Sequence, residues 1–387
     1  MQSGDRIHYM DNLRALAMLA GVVFHAALAY SPLMHPVWPL ADSESALAVD
    51  AVAWFLHMFR MPLFFLVAGF FAALLVARRG IAGLFRNRCA RVLLPLLLFL
   101  PPVLASLHWL TARAVATAVR PSPALAWLRV YVAEHGALPW MPGWAHLWFL
   151  FYLMLFTVLV WVSSTLDLRR IGMRIAALPP VALPALFPLL LAPALAGTTL
   201  PWPAPEFLLP SLWALAFFGM YFAFGFQMFH NDAMLDRLHP LMHALLLGAI
   251  AAYAVLFLLT GGFATPTPTL MPLQRALHVV LEACAGCWMT LWCLLAGKRW
   301  LDGKNAMMRW LADASYWVYL VHLPLLFAIQ YRLLDLSAHW MPKFAFSTAA
   351  TLALSFASYQ LLVRHSAIGR LLNGKRTQAS VPAAQNP

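Results

Sequence analysis

Long apolar runs separated by short polar connections set the rhythm of this chain. An α-helix needs about 20 residues to cross a hydrocarbon core. On that measure the pattern predicts about ten spans, near residues 11–31, 51–76, 92–111, 146–164, 175–195, 211–229, 241–260, 276–296, 311–333 and 344–363. The fifth is the least regular, because Pro179, Pro180, Pro184, Pro188 and Pro193 interrupt it. The first run reads as a transmembrane helix and not as a removable leader, since no small-x-small cleavage pattern accompanies it. No internal repeat stands out, and the longest outer connection, about 112–145, is too short for a separate soluble domain. The expected fold is an all-α integral membrane protein over residues 1–365, followed by a largely disordered cytoplasmic tail over 366–387.

Composition agrees with that pattern. Hydrophobic residues make up 63% and charged residues 10%, whereas a soluble domain carries about 25% charged residues. The net charge of +12 raises the question of a nucleic-acid partner, and its distribution answers it. Arg78, Arg79, Arg86, Arg88 and Arg91 fall between spans two and three, and Arg169, Arg170 and Arg174 follow span four. Lys298, Arg299, Lys304 and Arg309 follow span eight, and Arg364, Arg370, Lys375 and Arg376 lie at the end. The intervening connections carry only Arg113, Arg120, Arg129, Arg275 and Lys343. By the positive-inside rule both termini are cytoplasmic, so the charge orients the chain in a bilayer and no nucleic acid is needed. Cys89, Cys284, Cys287 and Cys293 offer no second pair of ligands for zinc and read as core thiols. No residue set calls for a metal.

Ionisable groups at membrane depth are costly and face a protein interior or a watery cavity. Arg14 and His25 are eleven residues apart, about three helical turns, so they share one face, with His25 about 16 Å deeper. In span nine Ser315, Tyr319 and His322 recur at i, i+4 and i+7. Span two carries Asp50, His57 and Arg60 on roughly one face, and span eight carries Arg275, His278 and Glu282. The economical expectation is one central polar cavity lined by spans one, two, eight and nine. At the cytoplasmic mouth of span three, Arg88 and Arg91 are i, i+3 neighbours. Guanidinium groups bind phosphate oxygens bidentately, which points to a nucleotide-tailed donor such as an acyl-coenzyme A. Trp140, Trp144, Trp148 and Trp202 sit near the outer face, either as an interfacial belt or as a surface for a glycan. His146, at the start of span four, either contacts substrate or caps that span.

Taken together, Arg14 with His25, the Arg-x-x-Arg of Arg88 and Arg91, and the Ser-Tyr-x-x-Tyr-x-x-His run of Ser315, Tyr316, Tyr319 and His322 resemble the integral-membrane acyltransferase family that O-acylates sugars and glycans. The resemblance runs from about residue 8 to 365. FRMPLFFLVAGFFAALL and HLWFLFYL are similar to the branch that succinylates periplasmic glucans. The chain departs from many members at Met61-Pro62, where an acidic residue is usual. The resemblance implies a bacterial inner-membrane enzyme that moves an acyl group, succinyl or acetyl, from cytoplasmic acyl-CoA to a hydroxyl on a periplasmic glucan or another surface glycan. Acyl-CoA is then a co-substrate, with no permanently bound cofactor. His25 is the expected general base, with Arg14, Ser315, Tyr319 and His322 around the chemistry. Asp50 or Glu282 is the candidate carboxylate partner. Arg88, Arg91, Arg60, His57, His146 and Trp148 are the candidate substrate contacts. A transporter using the same polar stripes is the alternative of a different class.

Overall fold

The structure, a computed structural model, describes residues 7–139, 142–165, 179–231, 233–264 and 271–373, and a helix lies on each of the apolar runs. In chain order α1 spans His8–Leu28, α2 Leu47–Arg88, α3 Leu94–Thr117 and α4 Pro123–His135. Then come α5 (Trp148–Val162), α6 (Ala182–Ala196), α7 (Leu212–Met228), α8 (Ala233–Leu238) and α9 (Met242–Leu259). α10 (Pro272–Trp300), α11 (Ala306–Leu333), α12 (Trp340–Ser358) and α13 (Ala367–Asn373) follow. Among the described residues seven helical segments are long and apolar enough to cross a membrane, Leu47–Thr117 counting as one, while α6 and α7 are apolar but shorter. The chain is an all-helical, multi-pass membrane protein. Its lipid-facing surface is read from exposed leucines such as Leu190 (63% exposed) on α6 and Leu258 (78%) on α9. Arg169, Arg170, Arg174, Trp140 and the tail beyond Asn373 lie outside the described residues.

Four local features position the site. Gly80 adopts φ +67°, a left-handed conformation that glycine takes without a Cβ penalty. It splits α2 into an apolar span and a short basic segment. A π-turn, Cys89–Leu93, then joins α2 to α3. Pro95 has no N–H to offer the Arg91 carbonyl, and the Tyr316 hydroxyl of α11 donates to it at 2.8 Å. Further along α11, close to Tyr319 and His322, Pro324 likewise cannot bond the Leu320 carbonyl. Between α2 and α7 the backbones touch: a Cβ on Gly69 would lie 1.9 Å from the Phe222 carbonyl oxygen. Small residues allow such close crossings where lipid cannot drive helices together.

The connection 29–46 is tied down by polar groups. Asp50 accepts from the Ser31 hydroxyl, from Leu33 N at 3.0 Å and from the Trp54 indole at 3.1 Å. Asp42 pairs with Lys343 of α12 at 2.7 Å, their side chains 4% and 2% exposed. Lys343, expected to be a topogenic loop charge, is therefore half of a buried ion pair.

Candidate active site

α1, α2, α11 and the start of α5, together with His146 and residues 204–206, line a cavity between the helices. Its polar lining is His25, His57, Arg60, His146, Glu206, Tyr319 and His322. At its core, His25 Nδ1 and His322 Nε2 are 2.9 Å apart. The proton positions follow from the acceptors around them. His322 Nδ1 faces the carbonyls of Tyr319 at 2.8 Å and Val318 at 3.1 Å. A carbonyl only accepts, so His322 Nδ1 carries the proton and its Nε2 offers a lone pair. His25 Nδ1–H must therefore donate to that lone pair, and His25 Nε2 is left as an unprotonated base with no protein partner among the described residues. Gln330 secures the register of the two helices by donating to the Ala26 carbonyl at 3.1 Å.

The same stretch of α11 organises the second histidine too. His146 Nε2–H donates to the Tyr319 carbonyl at 3.0 Å, and the Tyr319 hydroxyl donates back to the His146 carbonyl at 2.7 Å. Tyr319 thus lines the cavity but its hydroxyl is already engaged. His57 Nε2–H donates to the Trp202 carbonyl at 2.8 Å, and its ring packs 3.8 Å from the Trp202 ring. The remaining nitrogens, His57 Nδ1 and His146 Nδ1, are buried without a hydrogen-bond partner.

Arg60 is 6% exposed, and its Nε has no partner. Among the described residues no carboxylate pairs with it. Its guanidinium lies over the Phe24 ring at 4.4 Å. A Cβ on Gly21 would come within 3.1 Å of its Nη1, so glycine one turn before His25 is what lets the cation lie against α1. An unpaired cation in a low-dielectric site is unfavourable by several kcal/mol in general.

Several expected residues lie elsewhere. The stripe of Arg275, His278 and Glu282 does not reach this cavity. It lines a separate pocket with Thr198, Thr199 and Leu200. Trp202 stands between the two, because its N–H donates to Glu282 at 3.0 Å while its carbonyl faces His57. Asp50 is also absent from the cavity, its oxygens committed to the 29–46 connection. The partner of His25 is thus His322 and not a carboxylate. Ser315 bonds the Ala312 carbonyl at 2.9 Å within its own helix. Arg14 pairs with Asp11 at 3.2 Å and lies close enough to Arg88 to repel it, so it belongs with the arginines at the far end of α1. There Arg88 donates to the Ala68 carbonyl at 3.3 Å, and Arg79 lies close enough to Arg91 to repel it.

Sequence reading missed Glu206. It sits in the connection between α6 and α7, exposed, yet it lines the cavity beside His25. Protein packed around its carboxyl weakens its hydration and pushes it up to about 7. The signal was faint: one acidic residue in the Pro-rich run LPWPAPEFLLP.

A half-buried histidine with a fixed tautomer lies beside an unpaired cation inside a bundle of apolar helices, an arrangement suited to a membrane-embedded enzyme. Residues 7–360 match the acyltransferase domain family. The chain belongs to that family and is an acyltransferase. It is 26% identical over 385 residues to glucans biosynthesis protein C of Escherichia coli K12, covering 96% of this chain and 95% of that protein. The protein of the same name from Shigella dysenteriae serotype 1 is likewise 26% identical over 385 residues. No solved structure matches the chain.

Proposed function

We propose that the protein is an O-acyltransferase of the bacterial inner membrane, with ten crossings and both termini cytoplasmic, that moves a succinyl group from cytoplasmic succinyl-CoA to hydroxyls of a periplasmic glucan. The observation that carries this reading is the His25–His322 pair, whose backbone-anchored tautomers leave His25 Nε2 as a free base inside the cavity. A sugar hydroxyl is a weak nucleophile, and a positioned base accelerates its attack by roughly 10²–10⁴-fold. His25 Nε2 takes the hydroxyl proton as the oxygen attacks the thioester carbonyl. The C–S bond then breaks, and the proton passes to the departing thiolate. While His25 carries that proton, its Nδ1–H remains directed at His322 Nε2, which holds the ring in place as a carboxylate does in other hydrolytic triads.

Arg60 supports the choice of acyl group. An oxyanion exists only fleetingly and would leave the guanidinium unpaired throughout donor binding. The terminal carboxylate of a succinyl group would pair with it from the start. The arginines at the far end, Arg14, Arg79, Arg88 and Arg91, are the proposed contacts for the CoA phosphates. The relatives' names support a glucan as acceptor.

The test is His25→Ala in a strain lacking its own enzyme, with glucan esters counted by mass spectrometry. Wild type should add groups of about 100 Da, the mass expected for succinyl, whereas His25→Ala, present in the membrane at equal amount, should add none. Full esterification by His25→Ala would overturn the mechanism, and adducts of about 42 Da would replace succinyl with acetyl.

A further inference from the structure

Glu206 is held by its backbone and free at its carboxylate. Its carbonyl accepts from Trp144 N at 2.7 Å, and its own N–H donates to the Ala204 carbonyl at 3.0 Å. Gly143 presses so close that a Cβ there would lie 2.8 Å from the Glu206 oxygen, and Gly143 pairs with Phe207 as an antiparallel bridge. The 142–147 turn therefore clamps this stretch at several points. The side chain, in contrast, makes no hydrogen bond or ion pair among the described residues. It lines the cavity of His25 and Trp148, and it is exposed to water. It lies at the end of the bundle opposite Arg14 and Arg88, the end at which a donor's phosphates would not enter.

A carboxylate with a fixed backbone and unused lone pairs is a preset acceptor for neighbouring hydroxyl groups. An indole face nearby offers apolar cover for the C–H side of a sugar ring. Charge argues in the same direction: Arg60 draws the anionic part of a donor, and the ionised fraction of the Glu206 carboxyl at the other mouth repels it. We propose that Glu206 is the acceptor-binding residue, accepting hydrogen bonds from the sugar hydroxyls beside the one that His25 Nε2 deprotonates, and so selecting neutral polyols over anionic acceptors. The proposal rests on the acyltransferase reading and assigns the substrate class on the acceptor side of that same site.

The experiment compares wild type, Glu206→Gln and Glu206→Asp in detergent, with succinyl-CoA as donor and unacylated glucan isolated from a deletion strain as acceptor. Losing a hydrogen bond to a charged group weakens binding by roughly tenfold or more. Glu206→Gln should therefore raise the acceptor KM about tenfold and lower the ratio of transfer to donor hydrolysis by a similar factor, with a much smaller change in donor KM. Glu206→Asp, which keeps the charge, should recover part of the loss. An unchanged acceptor KM, or equal losses of transfer and donor hydrolysis, would overturn the assignment. If wild type neither hydrolyses succinyl-CoA or acetyl-CoA nor esterifies the glucan, the transfer reading fails. Glucan binding followed by tryptophan fluorescence then still decides Glu206, because equal affinity in wild type and Glu206→Gln refutes it.

Discussion

The central cavity and the packing around the 29–46 connection are built from the same kinds of residue and are finished in opposite ways. Around the connection every charge is answered: Lys343 meets Asp42 at 2.7 Å, and Asp50 accepts from Leu33, Trp54 and Ser31. In the cavity His25, His57 and His146 are each anchored by one nitrogen and left open at the other, and among the described residues Arg60 has no anion. Buried polar groups in folded proteins are normally satisfied. The satisfied region is therefore structural, and the unsatisfied one leaves polar atoms available to the groups that the proposed reaction would bring.

That contrast can be broken by experiment. The largest effect should come from His25→Gln, which keeps volume and polarity but not the base. Transfer should fall by roughly 10²–10⁴-fold with a melting temperature in detergent near that of wild type. A melting temperature that falls with the activity would move His25 into the structural class. Lys343→Met should do the reverse. It strands Asp42 and should reduce stability by about 3–5 kcal/mol, while the folded fraction keeps a turnover within a few-fold of wild type. Adding Asp42→Asn to it should restore much of the stability, and thermal unfolding of the double variant checks this. Arg60→Met should leave stability equal or improved, because it removes an unpaired buried cation. It should also lower the preference for succinyl-CoA over acetyl-CoA by roughly tenfold, the worth of one charge-assisted contact. A marked loss of stability would show that Arg60 has a resident anionic partner. Glu282→Gln should have the smallest effect, about twofold on transfer, since Glu282 lies behind Trp202 and keeps an oxygen to accept the Trp202 N–H. A loss comparable to that of His25→Gln would reconnect the two pockets.

The positions of the apolar helices were legible along the chain, because crossing a hydrocarbon layer demands a long uninterrupted apolar run with every backbone group bonded internally. The convergence of His25 and His322 was also legible, since helical spacing and depth put both on inward faces at one level. The stripe on α10 obeyed the same periodicity and turned elsewhere. Periodicity tells which residues share a face of one helix, not which neighbour that face meets. The inserted Trp202 segment, which diverts Glu282 into its own pocket, has no periodic signature at all.

Chain order and composition alone were enough for a membrane-embedded helical protein with ionisable groups turned inward, because the cost of an ionisable group in lipid is a one-dimensional property of a span. The partner of that base, the freedom of Arg60 and the arrival of Glu206 were decided in three dimensions. Each depends on distances of about 3 Å between segments far apart in the chain, set by Gly21, Pro324 and the clamped 142–147 turn. Hydrogen bonding is lost within a fraction of an ångström, and no spacing along a single helix records a contact that precise.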